Sequence, residues 1–163
     1  MKKALSALTL GLFTSIASFQ VLADQAAHIT VSDAFAREVP PGAPASASFM
    51  TLKNSSDQAI KLVEAKTKIA KTAELHTHTN DDGVMRMRQV SFFEIPAQGQ
   101  TQLKSGGDHI MLINPHKPLK SGQSISVDLT FEDGSSKQIE MPVKSVMQNM
   151  GNMNHDKHHH HHH

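Results

Sequence analysis

The chain has 163 residues, with 16 Lys or Arg against 15 Asp or Glu, and it contains no Cys, Trp or Tyr. This balanced charge and the lack of a basic patch argue against nucleic acid as a partner. Without a thiolate the chain can form neither a disulfide framework nor a blue-copper electron-transfer site.

The N-terminal residues 1–23 have the pattern of a signal peptide. Lys2 and Lys3 precede an apolar run from Ala4 to about Phe19, and the small residues that follow predict cleavage after Ala23. Removal of the two lysines leaves 14 basic against 15 acidic residues in the mature chain. No later segment approaches about 18 consecutive apolar residues, so we expect no membrane span in the exported protein.

Residues 24–146 are predicted to form one domain, because short β-rich segments alternate there with turn signals at the spacing of a β-sandwich or barrel. The predicted strands cover residues 28–37, 46–53, 59–67, 72–78, 84–94, 100–104, 108–114, 123–131 and 137–147. The sequence therefore predicts an all-β fold.

Three segments carry additional information. Residues 60–74 contain Lys, Ala and Glu that could support a short helix, but they lack a long amphipathic face and are kept as strand and loop. Asp81-Asp82-Gly83 predicts a hairpin turn. Residues 109–113 are apolar on both sides apart from His109, which predicts a central strand.

Beyond the domain, residues 147–157 form a polar segment that cannot bury much surface and is predicted to be disordered. It contains Met147, Met150, Met153 and His155. The segment is either a mobile metal-collecting site or an uninvolved tail. Residues 158–163 are a purification tag and carry no functional argument.

Most of the His and Met residues in the domain lie in two stretches, 76–87 and 109–116. Side chains two apart on a strand share a face, which groups these residues into pairs. The pairs are His76 with His78, Met85 with Met87, and His109 with Met111. Three such pairs could converge at one end of a sheet.

Imidazole nitrogen and thioether sulfur together form the ligand set of a soft, monovalent copper ion. A thioether carries no charge, so two Met and two His leave a +1 ion uncompensated, which suits Cu(I) better than a divalent metal. Zinc sites draw instead on Cys, His and carboxylate. Met is also common in hydrophobic cores, so a single pair is weak evidence for metal binding. The prediction of a copper site depends on the coincidence of three pairs.

The spacing of these residues resembles the metal-binding motif of PCuAC, a family of periplasmic copper chaperones. His76 is followed by ten intervening residues, Met87, twenty-one intervening residues, and then His109-x-Met111. The segments 74–76, 83–88 and 106–112 also resemble signature segments of that family, and the similarity extends over roughly residues 28–142.

The resemblance implies a cupredoxin-like, Greek-key β-sandwich or barrel of about eight or nine strands. It implies one Cu(I) bound near the surface through His76, Met87, His109 and Met111. It also implies a monomeric periplasmic carrier, not an enzyme, that passes copper to the copper site of a respiratory oxidase or to another assembly chaperone. Acid would protonate the two imidazoles, so Cu(I) affinity is expected to fall below about pH 6.

One position departs from the family, whose members commonly carry Met two residues after the first His, where this chain has His78. That imidazole could be an alternative ligand, raise tolerance for Cu(II), or do nothing. Met85 is a further candidate ligand, and the tail residues could also bind Cu(II).

Two other functions remain open from sequence alone. One is a copper-dependent redox protein or reductase, in which His78 helps the metal cycle between oxidation states. The other is a cofactor-free β-sandwich interaction module whose Met residues belong to the core. No Gly-x-Ser-x-Gly elbow or phosphate-binding glycine loop points to other chemistry.

Overall fold

The computed structural model describes residues 24–145, and this part of the chain is almost entirely β-structure. A four-residue helix, α1, precedes ten strands. The elements are α1 (Gln25–His28), β1 (Ile29–Arg37), β2 (Ala45–Asn54), β3 (Ile60–Thr67), β4 (Ala70–Asp81), β5 (Val84–Gln89), β6 (Phe93–Ile95), β7 (Gln100–Leu103), β8 (His109–Pro115), β9 (Ser124–Phe131) and β10 (Ser136–Lys144). The all-β prediction is confirmed.

The strands form two halves of a β-sandwich. The strand order is β5-β4-β8-β2-β1-β10-β9-β3-β6, with β7 paired to β2 beyond the end of β8. A short parallel pairing of β1 with β10, between Ala36 and Val143 and between Arg37 and Lys144, joins the halves. The first half, which contains β5, β4 and β8, includes the four motif residues His76, Met87, His109 and Met111.

The core lies between the halves and determines which side chains face outward. Leu75 of β4 is directly opposite Ile110 of β8, and both side chains are buried in the core. Because side chains alternate along a strand, the next pair, His76 opposite His109, faces the other side of this sheet. The fold thus places the motif on the outer face of one half. The strand β8 is central, as predicted, since it pairs with β4 and β2.

The expectation of one strand over residues 84–94 is wrong. β5 ends at Gln89 and pairs with β4, whereas β6 begins at Phe93 and pairs with β3 in the other half. The chain crosses from one half to the other between them, and the burial changes accordingly. All of β5 is exposed, but Phe93 and Ile95 are buried. The described residues therefore form ten strands, close to the approximate number expected, and the additional strand comes from this division.

Residues 60–74 form no helix. They contain β3 and the start of β4, which runs from Ala70 to Asp81 and is longer than the predicted 72–78. The hairpin turn is confirmed, because Asp82 and Gly83 connect β4 to β5 with φ values of +53° and +84°. Two successive residues with positive φ are typical of a type I′ turn.

The expected signal peptide, the tail with Met147, Met150, Met153 and His155, and the tag lie outside the described residues. Within residues 24–145, no helix has the length and apolar character needed to cross a bilayer.

Candidate metal site

The four residues of the motif come from three adjacent strands. In the register of β4 with β8, His76 is opposite His109, and in the register of β4 with β5, His78 is opposite Met87. Met111 follows two residues after His109 on β8. Since directly opposite residues share a face, the sheet brings together the side chains that the period-two pattern had grouped.

His109 and Met87 form the closest contact. The Nε2 atom of His109 lies 3.2 Å from the Sδ atom of Met87, and its Nδ1 atom lies 3.0 Å from the carbonyl oxygen of Gly107. A carbonyl can only accept a hydrogen bond, so Nδ1 carries the proton of the neutral ring. The lone pair is therefore on Nε2, the nitrogen that faces the sulfur, where it is free to coordinate a metal.

His76 presents its other nitrogen. Its Nε2 atom lies 2.9 Å from the Oε2 atom of Glu74, and because a carboxylate accepts, Nε2 carries the proton. Nδ1 of His76 is buried and has no hydrogen-bond partner among the described residues. A buried polar atom without a partner is uncommon and costs free energy. A bound metal ion would satisfy this lone pair, so the residue fits the role of a ligand.

Glu74 and Gly107 were missed by the sequence analysis. Each accepts the ring N–H of a histidine, which is how proteins usually orient histidines that bind metals. Glu74 could have been found, because it lies two residues before His76 and so shares its face. The role of Gly107 depends on its main-chain carbonyl and on the course of the β7–β8 loop, for which the sequence carries no local signal.

A cavity of about 490 Å³ opens beside the His109–Met87 contact. Its lining includes Met87, His109 and Met111 of the motif, together with His78. His76 does not line the cavity, although the centre of its ring is 5.9 Å from that of His109. The structure thus gathers three expected ligands at one cavity and places the fourth beside it.

Of the additional candidates, His78 and Met85 differ in position. His78 lines the cavity, and its ring centre is 5.3 Å from that of His109. Met85 is opposite Asn80, its side chain is 56% exposed, and it does not line the cavity. The structure therefore associates His78, but not Met85, with the candidate ligands.

The arginines of β5 point away from the site, as the alternation predicts. Both Arg86 and Arg88 form ion pairs with Asp81, at 3.5 Å between Arg86 Nε and Asp81 Oδ2. These exposed pairs contribute little to stability. The two arginine side chains therefore lie on the face of the hairpin opposite to Met87.

The surroundings of His109 favour its neutral form. Burial lowers the pKa of His109 below its ordinary value of 6.5, and the nearby His78, His76 and Arg37 side chains lower it further. The hydrogen bond to the Gly107 carbonyl acts in the opposite direction but does not prevail. Because only the neutral ring can bind a metal, His109 keeps a free lone pair to lower pH than an exposed histidine does.

Imidazoles and carboxylates alone do not make a metal site in this part of the chain. Across residues 24–145, no three His, Cys, Asp or Glu side chains are arranged to hold an ion. A site at this cavity therefore depends on the thioethers of Met87 and Met111. Thioether sulfur selects soft ions, of which Cu(I) is the common biological example.

Comparison with known proteins agrees with the motif. Residues 29–143 match the model of a family described as putative lipoprotein LpqE-like. The chain belongs to the LpqE-like (PCuAC) family. Among relatives of this family, the putative lipoprotein Lxx21020 of Leifsonia xyli subsp. xyli (strain CTCB07) is 36% identical over 129 residues, which cover 78% of this chain and 76% of that protein.

Two solved structures extend the comparison of this LpqE-like chain. The solution structure of CuI-DR1885 from Deinococcus radiodurans is 36% identical, with a TM-score of 0.58, and the match covers 76% of this chain and 85% of that one. The copper-bound PCuAC domain from PmoF2 has a TM-score of 0.61 and is 19% identical, over 72% of this chain and 93% of that one. This second likeness shows the shared fold, so the predicted PCuAC-type β-sandwich is confirmed.

Proposed function

We propose that this LpqE-like protein is a periplasmic copper chaperone without catalytic activity. It binds one Cu(I) through His76, Met87, His109 and Met111 and delivers the ion to a copper-accepting protein. The recipient is the copper site of a respiratory oxidase or another assembly chaperone. Export to the periplasm agrees with the putative lipoproteins among its relatives.

The observation that carries this proposal is the 3.2 Å approach of His109 Nε2 to Met87 Sδ. Two groups without a proton between them have no hydrogen bond to make, and a soft ion bound to both gives the contact a chemical reason. The unpaired, buried Nδ1 atom of His76 and the Met111 side chain beside the cavity supply the remaining donors. In support, a relative 36% identical to this chain bears the name CuI-DR1885.

The position of the donors suits transfer. They lie on the outer face of a rigid sheet, and the cavity beside them admits groups of another protein. A recipient can therefore replace the ligands one at a time, so that each intermediate retains most of its coordination. No strand has to unfold for the ion to leave.

The test is a Cu(I) competition titration on the chain without its signal segment and without residues 158–163, repeated without residues 147–157. We expect one tightly bound Cu(I) per chain in both forms. Met87→Ala is expected to lower the affinity at least about tenfold, as losses within metal sites commonly do. Met85→Ala is the matched control, since Met85 lies on the same face of β5 and outside the cavity. Equal affinities of the two variants would overturn the proposal.

Delivery is tested separately. The copper-loaded chain is mixed with the soluble copper domain of an oxidase from the same source, and the metal on each partner is measured after separation. We expect transfer from the wild-type chain and none from a variant that no longer binds Cu(I). Stable retention of copper by the chain would count against delivery to this recipient.

The interaction-module alternative meets a difficulty at Met87. That alternative requires the motif Met residues to be core, but the Met87 side chain is 47% exposed. The core methionines of this fold are Met50 and Met141, each 1% exposed. The exposure of nearly half of the Met87 side chain is therefore not what a core position predicts.

A further inference from the structure

We propose that His78 is itself a copper ligand in this chain and that it enables the same site to hold Cu(II) as well as Cu(I). The inference rests on the proposed function and deepens it, since it concerns the oxidation states that the site accepts.

The position of His78 in the sheet supports this role. His78 is directly opposite Met87 across β4 and β5, and it lines the cavity together with Met87, His109 and Met111. His76 belongs to the motif but does not line this cavity. His78 therefore lies at least as close to the gathered donors as the first histidine of the motif.

The orientation of the His78 ring also suits metal binding. The carbonyl oxygen of Gly107 lies 3.3 Å from Nδ1 of His78 and 3.0 Å from Nδ1 of His109, so one main-chain acceptor orients both rings. In each neutral ring the lone pair is consequently on Nε2. Nε2 of His78 has no hydrogen-bond partner within residues 24–145, which leaves it available to a metal.

The distances between the imidazole rings are compatible with one shared ion. A metal about 2 Å from a ring nitrogen lies roughly 3 Å from the ring centre, so two rings on one ion have centres at most about 6 Å apart. The ring centres of His78 and His109 are 5.3 Å apart, and those of His76 and His109 are 5.9 Å apart. Each of these two pairs of rings is therefore close enough to share one ion. Within residues 24–145 the three imidazoles by themselves are not arranged to hold a metal, so a shared ion also needs the thioethers of Met87 and Met111.

The chemistry of the donors then sets the oxidation state. Two imidazoles and two thioethers suit Cu(I), whereas Cu(II) prefers nitrogen and oxygen donors in tetragonal geometry. A third imidazole supplies the additional nitrogen that Cu(II) needs. A Met at position 78 would supply another soft sulfur instead.

The experiment compares Cu(I) and Cu(II) binding in one set of variants. The tag-free chain carries His155→Ala throughout, so that the tail contributes no imidazole. Wild type, His78→Met and the control His116→Met are titrated with Cu(I) and with Cu(II) against competing chelators, and nitrogen ligands on Cu(II) are counted by pulsed electron paramagnetic resonance. His116 is exposed and follows the last residue of β8, away from the cavity.

For His78→Met we expect Cu(II) affinity at least about tenfold lower, one coupled imidazole nitrogen fewer, and a much smaller change for Cu(I). The control variant should match wild type. Unchanged Cu(II) binding in His78→Met overturns the inference, and so does an equal loss for both ions, since the residue would then not distinguish oxidation states. Failure of wild type to bind Cu(I) would instead refute the proposed function.

Discussion

The carboxylate of Glu74 lies 2.9 Å from Nε2 of His76, two residues further along the same strand. This contact directs the free lone pair of His76 to Nδ1, whereas the Gly107 carbonyl directs that of His109 to Nε2. The two motif histidines therefore offer different nitrogens to an ion. The Glu74 carboxylate, although it is not a proposed ligand, should therefore influence metal affinity through His76.

Glu74→Ala is expected to lower Cu(I) affinity by about 10-fold to 100-fold, because the ring of His76 loses the acceptor that orients it. Competition titration measures the change. The control is Glu64→Ala on β3, where the carboxylate pairs with Lys66 on the surface. If both variants bind as tightly as wild type, the orientation of His76 does not depend on Glu74.

Replacement of single methionines by Ala should distinguish a methionine of the candidate site from a methionine of the core by the loss of stability. Met141→Ala is expected to destabilise the fold by about 2 to 5 kcal/mol, because its side chain is fully buried and a cavity would remain. Met87→Ala should cost far less, since nearly half of that side chain is in solvent. Urea unfolding of the copper-free protein measures both. Comparable losses would mean that Met87 is a packing residue after all.

The lowered pKa of His109 predicts a pH dependence of stability. As pH falls from about 6.5, the unfolded chain takes up the proton before the folded one does, because only the folded state depresses this pKa. The contribution of His109 is thus fully present above about pH 6.5 and is lost as the pH falls through the folded pKa.

We therefore expect the free energy of unfolding of the copper-free protein to decrease between neutral pH and pH 5. His109→Gln should show a smaller decrease, since its side chain does not titrate. Urea unfolding at a series of pH values gives both slopes. A steeper slope in the variant than in wild type would contradict the assigned direction of the pKa shift.

Two glycines offer a matched pair of turn variants. Gly83 connects β4 to β5 with φ of +84°, and Gly134 connects β9 to β10 with φ of +82°. No atom lies within 4 Å of an added Cβ at either position, so Ala would cause conformational strain without a clash, at about 1 to 2 kcal/mol. Both variants should lose similar stability in thermal or urea unfolding.

Copper binding should distinguish these turn variants. Gly83→Ala perturbs the hairpin that holds Met87 opposite His78, so its Cu(I) affinity is expected to fall, whereas Gly134→Ala should bind as wild type does. Equal affinities of the two would indicate that the hairpin geometry does not control the sulfur position.

Much of this architecture was accessible from local sequence patterns. Residues 109–113, which are apolar on both faces of the strand apart from His109, predicted a central strand, and Asp82-Gly83 predicted the hairpin that sets the β4–β5 register. With alternation of side chains along a strand, those two features placed the His and Met pairs on one face. Local periodicity was sufficient because each of these features extends over only a few residues.

Features that depend on distant parts of the chain were not accessible. The division of residues 84–94 into β5 and β6 reflects their pairing with different partners, which no pattern within the segment records. Arg37, which lowers the pKa of His109, comes from β1, more than seventy positions away. The shared Gly107 acceptor requires the loop conformation itself.

The donors of the closest contact lie at different depths. Met87 belongs to β5, at the end of the strand order, and is 47% exposed, whereas His109 begins the central β8 and is 5% exposed. The Met87 sulfur is consequently more accessible to another protein than the His109 imidazole is. If copper is transferred as proposed, this difference in exposure favours replacement of the Met87 thioether first and of the His109 imidazole last.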